Sequence, residues 1–258
     1  MNPPLKWAGG KRWLVPTLAG IYRTHRHRRL ILPFCGGASE AFGLEPYRAV
    51  LNDINPNLIV FYQWLRLGLR NDISVPMRNN ADTYYANRDR FNAIRATHYW
   101  GGKEAALLFY YLNRTCFNGL CRHNRHGDFN VAFGRYKTIT YVQDFCSYSR
   151  PLAMWHFQFG DFEQVRVYPG DFIIADPPYD GTDFTGYYGA WGWADQVRLV
   201  NWLSRHEGPV VATNLATDRM VKLYQEAGFR VETLMAPRRI SNNGDRTPAL
   251  EMLAMRDV

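Results

Sequence analysis

The stretch FIIADPPYDG (residues 172–181) decides how the rest of the chain is read. Phe172-Ile173-Ile174-Ala175 is uncharged and partly β-branched, the pattern of a short buried strand. Asp176-Pro177-Pro178-Tyr179 ends it, since neither proline has an N–H to give a sheet ladder. Two readings are open here. Either this is a Pro-rich turn with Asp176 as a local cap, or a strand is delivering an acid and a carbonyl to a site.

The flanking sequence has α/β texture. A helical pattern runs from Lys11 to about Tyr22, followed by strand-like runs at Leu30–Phe34 and Ala49–Leu51. After residue 172 the pattern predicts a helix near 194–206, a strand at 209–213, a helix near 217–227, and strands near 230–236 and 249–256. Between these ends, residues 57–144 look mostly helical and are rich in Arg, Asn and Tyr. The expected organisation is one α/β domain formed by residues 1–56 and 145–258, interrupted by an inserted domain at 57–144. Ligands of open α/β sheets bind beyond the carboxyl ends of the strands. The segments after Phe34, Leu51 and Ala175 should therefore converge on one crevice.

At 258 residues, 47% hydrophobic and 15% aromatic, the chain can bury a large core. No apolar run approaches the ~20 residues of a membrane span, and MNPPLKWAGGK lacks the apolar stretch of a secretory signal. A soluble intracellular protein with no membrane partner is expected. The four cysteines have no disulfide-framework spacing, and Cys121, His123 and His126 match no zinc pattern, so no metal is expected. Lys and Arg number 31 against 23 Asp and Glu, a net charge of +8 that suits a polyanionic partner. The densest basic run, Arg23 to Arg29, reads as the solvated end of a helix, where positive charge is stabilising. That reading is favoured, though the run can also touch phosphates.

Each strand end carries chemistry. Cys35-Gly36-Gly37-Ala38-Ser39 places small residues between strand and helix, where backbone can approach a ligand, although a plain tight turn has the same look. Asp53, ending the second strand, can accept from both hydroxyls of a ribose. It can also cap the helix starting near Pro56, a task for which Asn55 is the better candidate. At the third, the Asp176 carboxylate and the Pro177 carbonyl form an acceptor-only pair suited to an exocyclic amine with two hydrogens. Tyr179 adds a flat face for a base.

Lys6-Trp7-Ala8-Gly9-Gly10-Lys11, Pro33-Phe34-Cys35-Gly36, Asp53-Ile54-Asn55 and Asp176-Pro177-Pro178-Tyr179 together resemble the Dam-type (alpha group) DNA adenine-N6 methyltransferases. The stretch from Tyr111 to Tyr136 looks closer still. The order of cofactor motif, recognition region and catalytic motif is also that family's. The resemblance implies a Rossmann-like methyltransferase sheet, mostly parallel with one antiparallel strand, carrying an inserted, mainly helical DNA-recognition domain with a β-hairpin. It implies S-adenosylmethionine as cofactor, double-stranded DNA as partner, no obligate protein partner, and the cytoplasm of a bacterium or phage-infected cell. Residue by residue, it gives the cofactor Trp7, Lys11, Phe34, Gly36, Asp53, Phe162 and Asp176, and gives catalysis Asp176, Pro177 and Tyr179. Without it, Trp7 reads as a core aromatic and Lys11 as a helix-start cation. One departure stands out: the first motif here is Gly36-Gly37-Ala38, where relatives often have Gly-X-Gly.

An adenine amine is hidden in a duplex, so its base must leave the stack. The resemblance makes Phe117 the wedge, where many relatives have tyrosine. Leu120 and Arg122 read base edges, Lys6 touches a pair at the start of the site, and Asn118 and Asn124 serve the DNA backbone or the hairpin. GATC is the expected target. The acceptor pair alone also allows cytosine-N4 methylation, and a non-catalytic DNA-binding module is the reading from another class. The loop from Asp180 to Trp193 is expected to be a lid. Arg238-Arg239 and Ser241–Gly244 read as a late loop on phosphates or as a solvated hairpin.

Overall fold

The computed structural model describes residues 1–96, 101–181, 191–237 and 248–258. Its described strands form a seven-stranded sheet in the order β3-β2-β1-β4-β5-β7-β6. They are β1 (Leu30–Leu32), β2 (Ala49–Asp53), β3 (Trp155–Phe159), β4 (Phe172–Ala175), β5 (Val210–Leu215), β6 (Arg230–Ala236) and β7 (Ala249–Arg256). The first five run parallel. β7 is antiparallel to both its neighbours, β5 and β6. Leu30 pairs with Ala49 on one side and Phe172 on the other, so strand order reverses at β1 and β4. Their carboxyl ends lie side by side at that switch point, where such sheets open a crevice.

Both faces of the sheet are covered, which explains the uninterrupted apolar strands. With period 2, Leu30, Leu32, Leu51 and Ile174 enter one core, while Ile31, Val50, Ile173 and Ala175 enter the other. The first core is filled by α1 (Val15–Tyr22), α2 (Ser39–Leu44), α3 (Pro56–Arg66) and α5 (Lys103–Thr115). The second is filled by α7 (Trp193–Ser204) and α8 (Asp218–Glu226). α4 (Ala81–Ala96) packs on α5, and α6 (Cys146–Leu152) on α3. The helical middle shares the first core: Phe61 of α3 lies parallel to Tyr110 of α5 with ring centroids 6.0 Å apart. α3 itself packs on β2 and β3.

Three local readings are corrected. The first helix starts at Val15, so Lys11 lies in the preceding turn. β1 stops at Leu32, which leaves Pro33 and Phe34 in the loop. β3 has no counterpart in the sequence reading, because this edge strand buries Trp155 and Phe157 but exposes His156 and Phe159. The hairpin of the middle region reverses at Asn124–Gly127, with an antiparallel bridge between His123 and Phe129. Most of the expected lid, and both Arg238-Arg239 and Ser241–Gly244, lie outside the described residues.

Candidate active site

Three loops meet at the switch point through one side chain the sequence reading passed over. Asn52, a polar residue near the end of β2, is buried and donates to the Pro33 carbonyl (2.9 Å) and the Gly160 carbonyl (3.0 Å). Its own carbonyl accepts from Cys35 N–H at 2.7 Å. The ends of β1, β2 and β3 are thereby fixed to each other. Asp53 extends the tie, accepting from Gly36 N–H (2.9 Å) and Asn55 N–H (3.0 Å). Asn55 is the cap of α3, accepting from the N–H groups of Asn57 and Leu58. Each Asp53 carboxylate oxygen thus carries one backbone N–H.

These loops enclose a cavity of ≈ 380 Å³. Trp7, Lys11, Phe34, Gly36, Asp53, Phe162, Asp176, Pro177 and Tyr179 all line it. Every residue proposed for cofactor or catalysis is therefore brought to one place. Trp7 lies flush on the glycine turn: a methyl on Gly37 would stand 2.6 Å from Trp7 Cβ, and one on Gly36 2.7 Å from its indole nitrogen. Ala38 adopts left-handed geometry, φ 53, usually left to glycine at a cost of about 1–2 kcal/mol to others. Its methyl is buried away from solvent.

One wall is aromatic. Phe34 lies against Phe162 with the rings tilted 37° (centroids 5.4 Å apart) and meets Trp191 edge-on (5.3 Å). Trp191 was missed; its indole N–H is buried with no partner among the described residues. Arg198 covers Phe162 at 4.7 Å and pairs with Asp161 at 2.5 Å.

The opposite wall is a buried charge cluster. Lys11 is almost fully buried, its ammonium 3.3 Å from Asp176 Oδ1, 3.8 Å from Glu251 Oε2 and 4.5 Å from the Tyr179 ring centroid. Burial pulls its pKa down, but Asp176, Glu251 and Glu40 together outweigh that and hold it above the ordinary lysine value. Thr213 donates to Asp176 Oδ1 at 2.5 Å, so among the described residues Oδ1 is the engaged oxygen. Tyr179 donates to Glu251 at 2.7 Å, and burial, with the charges of Asp176 and Glu251, raises its pKa well above the ordinary value. Glu40, on α2, also lines the cavity; burial and the Asp176 charge push its carboxyl up to about 7. Behind the motif, Gln196 donates to the Pro178 carbonyl (2.8 Å) and Asn214 accepts from Asp180 N–H (2.9 Å). Thr213, Asn214 and Glu251 are polar residues in otherwise apolar strands, a signal that could have flagged them.

The DNA candidates gather next to this cavity. Lys6 and Asn113 exchange two hydrogen bonds, Lys6 N–H to Asn113 Oδ1 (2.9 Å) and Asn113 Nδ2 to Lys6 O (2.7 Å). The Lys6 ammonium donates to Tyr136 Oη at 2.7 Å. A methyl on Gly119 would stand 2.7 Å from Lys6 O, so the loop carrying Phe117, Asn118 and Leu120 rests on Lys6. Phe117 is half exposed, Asn118 is left-handed (φ 55), and Leu120 packs against the first core. Arg122 is exposed, with Nε 3.4 Å from Asn130 Oδ1. The Asn124 carboxamide is used within the turn, accepting from the N–H groups of His126 and Asp128 at 2.9 Å each. Cys121 accepts from Asn55 Nδ2 at 3.2 Å, so the loop after Leu120 is tied to the cap beside Asp53.

An α/β switch-point cavity with Asp-Pro-Pro-Tyr on its rim is now matched by a family. Residues 7–239 match the D12 class N6 adenine-specific DNA methyltransferases. The chain belongs to that family. A DNA N-6-adenine-methyltransferase of Escherichia phage P1 is 36% identical over 257 residues, covering 93% of this chain. This chain spans only 33% of that phage protein. The DNA adenine methylase of Serratia marcescens is 34% identical, with 97% of each chain covered. That of Haemophilus influenzae is 31% identical, covering 98% of this chain and 93% of its own. Membership assigns adenine rather than cytosine as the base, and an enzyme rather than a DNA-binding module. Membership implies S-adenosylmethionine as methyl donor. The walls fit such a group: aromatic rings and lining acids that outnumber Lys11 and Arg198 suit its positive charge, and the Trp191 indole N–H, without a partner among the described residues, suits one of its acceptors.

Proposed function

We propose that this chain methylates the exocyclic amine of an adenine turned out of duplex DNA, with S-adenosylmethionine as donor and GATC as target. The observation that carries this reading is Asp176: its Oδ1 is held by Thr213 and Lys11, so Oδ2 is left for substrate. Asp53 is assigned to the ribose of the cofactor, Phe34, Phe162 and Trp191 to its base, and Trp7, Lys11 and Gly36 to the surrounding wall. When bound, S-adenosylmethionine supplies a methyl made electrophilic by its sulfonium.

The amine of adenine is a poor nucleophile because its lone pair is delocalised into the ring. Asp176 Oδ2 and the Pro177 carbonyl accept its two hydrogens and favour a pyramidal nitrogen, which frees the lone pair. Tyr179 stacks on the base. The fixed acceptors also stabilise the positive charge that develops on nitrogen. One amine proton leaves after methylation, with Asp176 the nearest base in this arrangement. Residues 57–144 act as the recognition region. Phe117 fills the gap left by the base, Leu120 and Arg122 read base edges, and Lys6, Asn118 and Asn124 place the backbone or the loop. Bacterial and phage relatives support work on DNA in that cytoplasm.

Expression in cells lacking adenine methylation, followed by genome-wide mapping of methylated positions, tests chemistry and target together. Methylated adenine confined to GATC is expected, and none with Asp176→Ala, which should retain cofactor binding. Turnover by Asp176→Ala would sink the catalytic assignment. Methylation at another sequence would sink only the target.

A further inference from the structure

The basic run from Arg23 to Arg29 takes no part in the catalytic cavity. It leads into β1, and there it meets Arg48 at the start of β2 and Tyr168–Asp171 at the start of β4. Leu30 N–H donates to Arg48 O (3.0 Å) and Phe172 N–H to Arg29 O (2.9 Å), so the strand entries hold these residues together. Because β1, β2 and β4 are parallel, this is the amino edge of the sheet, opposite the edge bearing Asp53 and Asp176. Here a second cavity, ≈ 350 Å³, is lined by His27, Arg28, Arg29, Arg48, Tyr168 and Asp171, with Gly170.

Its charges are not balanced locally. Arg29 is committed, with two bonds to Asp171 (2.9 and 2.6 Å) and its guanidinium 4.9 Å from the Tyr168 ring centroid. Asp171 is the one acid in the lining. Arg28 donates from Nη1 to Gly170 O (3.2 Å), but its Nε is buried with no partner among the described residues. Arg48 is exposed and forms no ion pair among the described residues. Arg166, also exposed, has its guanidinium 5.0 Å from the Tyr168 ring centroid. His25 senses the excess: burial, then the charges of Arg28 and His27, hold its pKa below the ordinary value. Tyr47, beside Arg48 in the chain, is 74% exposed, and Tyr168 is 44% exposed.

We propose that this edge is a second DNA site, where phosphates of a duplex segment other than the substrate segment seat on Arg28, Arg48 and Arg166. Unpaired guanidinium groups suit phosphate oxygens, and exposed tyrosine hydroxyls can donate to them as well. The five residues of β2, at ~3.3 Å each, separate the two edges by about 16 Å. The edges face opposite ways, so a straight duplex across the catalytic cavity does not reach both. Holding a second segment keeps the enzyme on long DNA between targets.

The test loads the full chain onto an immobilised short duplex with one target site, then offers a labelled duplex lacking that site. Wild type should retain the labelled duplex. Arg28→Gln/Arg48→Gln should release it and still methylate the short duplex at the wild-type rate. The salt dependence of retention should become shallower by about 2 in log–log slope, for two lost phosphate contacts. Arg48→Glu, at an exposed position, repeats the test with a wild-type unfolding midpoint as its folding control. The proposal is overturned if wild type retains no second duplex, or if both variants retain it. It is also overturned if single-stranded RNA is retained in preference, or if methylation of the short duplex falls in parallel.

Discussion

The Tyr179 hydroxyl donates to the Glu251 carboxylate at 2.7 Å, joining the loop after β4 to the antiparallel strand β7. Both residues also touch Lys11, which in turn holds Asp176. The catalytic motif is therefore set by a strand entering from the opposite direction, 72 residues further on.

Glu251→Gln keeps an acceptor for Tyr179 but removes one negative charge from Lys11. We expect the single-turnover rate to fall about tenfold, equivalent to ~1.4 kcal/mol, with DNA affinity unchanged. Glu251→Ala removes the acceptor too and should cost stability by about 1.5–3 kcal/mol, as for a hydrogen bond to a charged group. Urea unfolding and rapid-quench methylation read the two effects separately. Wild-type turnover by Glu251→Gln would make this contact purely structural.

Glu40 gives stability a pH dependence with a definite sign. Burial, then the Asp176 charge, raises its carboxyl in the folded state to about 7 from 4.5. Between those values the folded state binds more protons than the unfolded one, so stability falls as pH rises through this window. The loss reaches up to about 3 kcal/mol and is complete above about pH 7. Glu40→Gln removes the slope. Its urea midpoint, measured from pH 4.5 to 8, should gain on wild type as pH rises, and a constant difference would contradict the raised value.

What the sequence made legible follows from where the forces are local. β4, β6 and β7 are found at their expected bounds, and β4 announces itself most plainly, as a continuous apolar run between two helical layers. β3 does not, since His156 and Gln158 interrupt the apolar run of this short strand. Lys11 read alone is a helix-start cation, and its burial against Asp176 depends on a strand 165 residues away. Only the family motif brought it into the site. Asn52, Thr213 and Glu251 were legible in principle, since a polar residue in a buried strand must find partners. No local pattern says which partners those are.

Gly37 is a steric test of the cofactor wall. A Cβ there would stand 2.6 Å from Trp7 Cβ, backed by the chain itself, so the indole must move. Gly37→Ala should weaken S-adenosylmethionine binding about tenfold or more, or ~1.4 kcal/mol, by equilibrium dialysis. Trp7→Gly in the Gly37→Ala background removes the obstructing Cβ and should restore binding toward that of the single Trp7→Gly variant. If both single variants bind the cofactor as wild type does, Trp7 is not part of that wall.

Arg122 and Asn124 lie two residues apart, yet they should fail in different ways. Arg122 is exposed at the turn, and its guanidinium is free to leave Asn130 for a base edge. Asn124 faces inward: its carboxamide accepts from two backbone N–H groups and donates to Asp128 at 3.2 Å. Arg122→Ala should therefore cost about 1–3 kcal/mol on the cognate site and relax the choice at one base pair. Asn124→Ala loosens the turn that presents Arg122, so affinity should fall across all sequences, with discrimination reduced in proportion. Methylation rates on a panel of duplexes, each changed at one pair, distinguish the patterns. An Arg122→Ala enzyme with every preference intact would remove Arg122 from base reading and leave the loop's reach to Phe117 and Leu120.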